Sequence, residues 1–180
     1  GAIDLNASSL GELEATVLGW MAEVAEAVTD LPLCLDGPDP STILAAAAGR
    51  RVAPILNSCP PDAELDVDLR AALRRPGARV VIQLRRGARL PSTADERRLW
   101  ADEAIERCVR AGVDPRAVLL DAVALPWGSD LEAGRGLYQF VAAFAHDHPD
   151  LTTLVGLGNV GHGSSDPRGA QRLWLECLAA

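Results

Sequence analysis

The feature that most constrains this chain is an event that repeats along it. Leu33-Cys34-Leu35 is a short apolar run that stops on a carboxylate, Asp36, and turns through Gly37-Pro38. It then passes into Asp39-Pro40, an N-cap residue followed by proline at the first helical position. Other apolar runs end alike: Ile55-Leu56 in Asn57, Val118-Leu119-Leu120 in Asp121, and Val155-Gly156-Leu157-Gly158 in Asn159. Ile3-Asp4-Leu5-Asn6 opens the chain in the same way. A buried strand that delivers one polar side chain at its C-terminal end and hands over to a helix is the repeating unit of α/β barrels and doubly wound sheets. In both architectures the ligand sits at that end of the strands. Any one of these residues alone reads as a helix cap or turn residue. Strands that repeatedly end in Asp or Asn point to one polar pocket at one rim of a parallel sheet.

Between these runs the spacing switches to helical. Ser9-x-x-Glu12 reads as a capping box, and Leu10, Leu13, Val17, Trp20, Met21, Val24 and Val28 then recur at helix period, predicting one long amphipathic helix. A short helix with Ile43, Leu44 and an alanine run stops at Gly49; a strand over 52–57 follows, and a helix opens at Asp62 after Pro60-Pro61. The pattern continues with a strand over 79–84 and a second capping box, Thr93-x-x-Glu96, opening a helix that ends at Gly112. A strand over 117–122, a helix over 130–146, a strand over 152–157 and a glycine-rich loop over 159–165 lead to a last helix capped by Asp166. Six β-α units in strict alternation predict an α/β fold with a parallel sheet, in one domain over 1–180. Trp20, Trp100 and Trp174 are expected in the core, as is Cys34; Trp127, after Leu125-Pro126, falls at the rim, where it would stack on a flat ligand.

Composition removes several classes of function. A formal net charge of −8 argues against sequence-independent binding to nucleic acid, which needs a basic face. No apolar run approaches the ~20 residues of a membrane span, and no signal peptide is apparent at the N-terminus. The four cysteines are scattered, with neither Cys-x-x-Cys nor histidine at ligand spacing, so no metal site is expected and a reducing cytoplasm is the default compartment. The chain has no lysine. Its densest cationic stretch, Arg85, Arg86 and Arg89, reads as a site for a ligand's carboxylate tail, a phosphate or an acidic partner, or simply as a solvated loop. His162, among glycines, reads as a proton donor or as an exposed loop histidine.

A ring of Asp and Asn has a definite chemical use. An ionised carboxylate accepts two parallel N–H bonds from an amino-pyrimidinone edge, such as guanine or pterin presents, and an Asn amide adds one donor and one acceptor.

At this point the chain resembles a known family. Asp4-Leu-Asn6, Leu33-Cys-Leu-Asp-Gly-Pro38, Ile55-Leu-Asn-Ser58, Leu120-Asp121 with Leu125-Pro126, and Gly156-Leu-Gly-Asn-Val160 occur in the order seen in pterin-binding (β/α)8 TIM barrels. The likeness is strongest to methyltetrahydrofolate:corrinoid methyltransferases, relatives of dihydropteroate synthase and of the folate domain of cobalamin-dependent methionine synthase. The resemblance implies that Asp36, Asn57 and Asp121 hold the pterin, that Asn159 lies near its N5, and that Asn6 lines the pocket floor. It implies methyltetrahydrofolate as substrate and a partner protein carrying cobalamin as the methyl acceptor.

The chain also departs from the pattern. Gly37 and Gly161 stand where the family has serine, as does Gly158, and Leu84-Arg85-Arg86 replaces a Thr, Met and Asn strand end. An eight-fold barrel needs about 250 residues, and the likeness runs from the family's second strand to its seventh. An incomplete barrel is therefore expected, closed by a second copy or another subunit. Two other readings stay open: a non-catalytic folate-binding or assembly subunit, and a pterin enzyme of different chemistry akin to dihydropteroate synthase.

Overall fold

The computed structural model describes residues 1–59, 67–126, 130–163 and 165–179. In chain order these form β1 (Ile3–Asn6), α1 (Glu14–Val28), β2 (Leu33–Asp36), α2 (Pro40–Ala47), β3 (Ile55–Cys59), α3 (Val67–Leu73), β4 (Arg79–Gln83), α4 (Ala94–Arg110), β5 (Val118–Asp121), α5 (Leu131–Asp147), β6 (Thr152–Leu154), α6 (Leu157–Val160) and α7 (Pro167–Ala179). The strands make one parallel sheet whose spatial order is the sequence order, β1 to β6. A doubly wound sheet reverses its strand order at a switch point. This sheet never reverses, which is the winding of a (β/α)8 barrel, and it stays open between β1 and β6.

Strand period two sends alternate side chains to opposite faces. On one face Leu5, Leu33, Leu35, Leu56, Val80, Ile82, Val118 and Leu120 join Leu18, Ile43, Trp100, Leu137, Phe140 and Phe144 of the helices in a continuous core. The register pairs Asp4 with Cys34, Asn6 with Asp36, Asp36 with Asn57, and Gln83 with Asp121, so these all share the other face. Cys34 has the burial expected of a small core residue, though apart from the helix-side cluster. It lies on the site face of the sheet.

Three expectations are corrected by local geometry. The Ser9 capping box does not form: Asn6 Oδ1 accepts from the Ser8 backbone N–H (2.9 Å) and hydroxyl (2.6 Å), Gly11 turns at φ +55°, and a 3-10 segment, Ser8–Leu13, delays α1 to Glu14. Trp20 is 62% exposed rather than in the core. The buried positions of α1 are Glu14, Leu18 and Ala22, while Leu13, Trp20, Val24 and Val28 form an exposed stripe. Glu23 and Glu26 of α1 reach Arg50, just past α2, and α2 packs against α1. Strand β6 stops at Leu154, because Gly156 leaves the strand and its carbonyl accepts the Asn159 N–H at 3.0 Å to start α6.

The Thr93 cap forms as expected, with the returning carboxylate one residue further back than in a standard box. Thr93 Oγ1 accepts from Glu96 N (3.1 Å), and the Glu96 carboxylate reaches back to the Ser92 N–H (2.9 Å). The helix it starts carries Arg97, 1% exposed, into the core, where Nε donates to the Ala122 carbonyl (3.1 Å) and Nη1 to the Thr93 carbonyl (3.2 Å). No described helix is long and apolar enough to cross a membrane.

Candidate functional site

The open face of the sheet holds a cavity of about 490 Å3 at the C-terminal strand ends, lined by Asp36, Asn57, Asp121 and Asn159 among others. Each polar residue arrives on its own strand or helix. Asp36 ends β2, and the next backbone N–H, that of Gly37, donates to the Asn57 carbonyl at 2.8 Å, tying the exits of β2 and β3 together. Asp121 ends β5, where the chain turns so sharply that Val123 takes φ +54°, a conformation β-branched residues avoid. That turn aims the Val123 N–H at Asp121 Oδ1 (2.9 Å), and Arg97 holds it from behind through the Ala122 carbonyl. Asn159 enters from α6.

The carboxylates are poor in internal donors. Asp36 Oδ2 accepts from the Asn6 amide at 2.7 Å, and Asp121 Oδ2 takes a long bond from Gln83 Nε2 at 3.4 Å. Burial raises the pKa of Asp36 against the opposing Asn6 hydrogen bond, and the charge of Asp4 adds to the rise. Burial likewise raises that of Asp121, more than the Val123 N–H and Gln83 lower it, with the Asp36 charge adding a little. Each acid therefore retains lone pairs for a ligand that brings N–H donors, and such donors would restore an ordinary pKa. Cys34 is no nucleophile here: burial and a hydrogen bond to Asp4 push its thiol up to about 12.

Asp4, Ser58 and Gln83 also line the cavity, although sequence reasoning singled out none of them. The signal was the strand period: Asp4 lies two residues before Asn6 on the same face. Asn6 bonds Asp36 and so orients it, without itself lining the cavity floor. The arginines part company. Arg86 and Arg89 lie over the Trp100 ring, 4.8 and 5.2 Å from its centroid, and pair with Glu103 and Glu96 respectively. Arg85 instead lines a recess at the rim. His162 is exposed and does not line the cavity. Trp127 lies outside the described residues. Among the described residues, no cluster of three or more His, Cys, Asp or Glu is arranged to hold a metal ion.

Two of the glycine departures have a steric reason. A Cβ on Gly161 would stand 2.8 Å from the Pro167 carbonyl oxygen and 2.9 Å from its Cβ, so α6 and α7 meet only over a glycine. A Cβ on Gly37 would stand 2.7 Å from Glu14 Oε1, the end of a side chain that would have to shift to admit a serine. Gly158 has open space around it.

No protein-family model matches the chain. A methylcorrinoid:tetrahydrofolate methyltransferase of Eubacterium limosum is 21% identical over 164 residues, which are 89% of this chain and 60% of that protein. A Yersinia pestis dihydropteroate synthase solved with a sulfonamide drug superposes with a TM-score of 0.67 at 20% identity, over 99% of this chain and 69% of that one. A second Yersinia pestis structure of that enzyme, with a pterine-sulfa conjugate, gives 0.62 at 22% identity over 87% of this chain and 60% of the other. The chain therefore spans about 60% of the length of the curated relative it matches. It has the fold of the pterin-binding TIM barrels, in six of their strands, and a sequence similar to that of a corrinoid- and folate-dependent methyltransferase.

Proposed function

We propose that this chain binds the pterin ring of a folate and supports methyl transfer between folate N5 and a corrinoid carried by a partner protein. The observation that supports it best is the convergence of Asp36, Asn57, Asp121 and Asn159 on one cavity at the C-terminal strand ends. Asp36 and Asp121, short of internal donors, accept the amino-pyrimidinone N–H groups, and the Asn57 amide completes the edge. The Asn159 amide, on α6, donates to N5. As the methyl group leaves N5, the C–N electron pair stays on nitrogen, and a tertiary amine leaves poorly without a donor there. An amide that binds this developing lone pair more tightly than the methylated ground state lowers the barrier. The proton that finally sits on N5 comes from solvent, since Asn has none to give. The corrinoid, as co-substrate, supplies a nucleophilic cobalt that accepts the methyl group. The transition state is the same whichever way the methyl moves.

Titration calorimetry with methyltetrahydrofolate tests the binding half. Wild type binds, and Asp36→Ala loses nearly all affinity while its unfolding transition persists. Single-turnover transfer to a cobalt(I) corrinoid protein tests the catalytic half. Asn159→Ala lowers the rate by roughly 10²–10³, by analogy with deleting one oxyanion-hole donor, and affects affinity far less. Folate binding without any transfer by wild type would instead identify a non-catalytic subunit. That reading draws support from the open sheet.

A further inference from the structure

On the helix side of the sheet, α2 and α3 part over a groove with a volume of about 450 Å3. It shares no lining residue with the strand-end cavity, so the two are separate. Its walls are apolar: Leu44, Ala47 and Ala48 from α2 and its C-cap, Pro54 from the entry to β3, and Ala71 and Ala72 from α3. Neighbouring helices ordinarily close on each other by interdigitating their side chains. Here four alanine methyls line the space, and side chains that short leave a hollow between the two helices. Its volume and apolar lining are those of a site for a small molecule.

Charge stands at the two ends of the groove. Successive helices of β-α units run the same way, so Ser41 and Asp68, in the first turns of α2 and α3, share one end. Gly49, Pro54 and Arg75, beyond the last turns, share the other. The ends are not equivalent. Asp68 is exposed, so water screens it, and the Ser41 hydroxyl is already spent on Asp39 Oδ2 at 2.8 Å. Arg75 is half-buried. Its Nη2 donates to the Arg50 carbonyl at 2.7 Å, which fixes the guanidinium, and no carboxylate pairs with it among the described residues. A fixed, partly desolvated guanidinium beside an apolar hollow matches a carboxylate on an apolar body.

We propose that the groove between α2 and α3 binds a small monocarboxylate with an aliphatic body, its carboxylate on Arg75 and its chain along Leu44, Ala71 and Ala72. Asp68 at the far end disfavours a second negative charge there. The site stands independently of the pterin reading, since it uses none of the same residues.

An amide NMR titration of the whole chain with octanoate, octanol and octylamine tests it. Octanoate shifts the amides of Gly49, Ala71 and Ala72 and leaves those of Asn57 and Asp121 in place. It binds about tenfold or more tightly than octanol or octylamine, the gain that a charge-assisted hydrogen bond supplies. In Arg75→Met the ratio of octanoate to octanol affinity collapses toward one. Ala71→Phe, at an exposed position, fills the groove and abolishes the shifts. Should Arg75→Met fail to fold, Ala71→Phe and the wild-type ratio still decide. Equal binding of the three probes, octanoate binding that survives both substitutions, or no shift at millimolar octanoate overturns the site. Methyltetrahydrofolate titrated into the same samples reports on the strand-end cavity, so each reading can fail without the other.

Discussion

The two faces of one sheet are built from neighbouring residues and do opposite work. Leu35 is fully buried among helix side chains; Asp36, next in the chain, lines the cavity on the other face. Leu120 and Asp121 repeat the contrast on β5. The helix face is closed and, apart from the buried Glu14 and Arg97, apolar. The other face has an apolar floor, Val81 and Leu119, beneath a polar rim that is left short of hydrogen-bond donors. Because period two separates these sets, the pterin reading makes stability and ligand affinity depend on different atoms of the same strands.

The sharpest way to break that contrast is to truncate adjacent residues. Leu35→Ala should cost roughly 2–5 kcal/mol of stability, as emptied core sites do. Asp36→Ala should cost roughly 2–5 kcal/mol of pterin affinity, as loss of a buried charged partner does. Urea unfolding and calorimetry on both variants check it, and a crossed result, in which Asp36→Ala unfolds the chain, would merge the two faces into one structural unit. Of intermediate size is Gly161→Ser, which forces a side chain against Pro167 and should destabilise by roughly 1–3 kcal/mol. Gly158→Ser, three residues earlier and in open space, should leave the unfolding midpoint nearly unchanged.

Smallest is a pH slope, and it should have opposite signs for the two properties. Asp36 and Asp121 have pKa values raised above 3.8 in the folded chain. Below 3.8 both acids are protonated, folded or unfolded. As pH climbs from there through their folded pKa values, the unfolded chain ionises first, so their contribution to stability is lost. The ligand's N–H donors need the ionised acids, so affinity rises over the same window. Asp121→Asn should flatten both slopes, measured as unfolding midpoints and dissociation constants between pH 4 and 7. A stability that rose with pH through these groups would contradict the burial that raises them.

Much of this was legible in the sequence. Apolar runs ending in Asp or Asn, the Thr93 box and the proline and glycine stops are patterns over two to four residues, and they sufficed to read six β-α units and a parallel sheet. The same periodicity brought Asp36, Asn57 and Asp121 to one rim. Asp4 and Gln83 were overlooked, although their spacing carried the same signal.

What only the tertiary structure decided depends on neighbours far away in the chain. Helix period foretold that α1 would have an apolar stripe, but which stripe is buried follows from where β1, β2 and α2 lie, and Trp20 ended outside while Leu18 and Ala22 went in. Three arginines within five residues look alike in sequence; Trp100, Glu96 and Glu103 of α4 claim two of them and leave Arg85 to the rim recess. Gly37 and Gly161 look like lost hydroxyls until Glu14 and Pro167 are seen to occupy their space. Hydrogen-bonded caps and strand alternation are local and can be read along the chain. Burial, charge pairing and steric room are settled by whichever distant surface arrives, and that requires the fold.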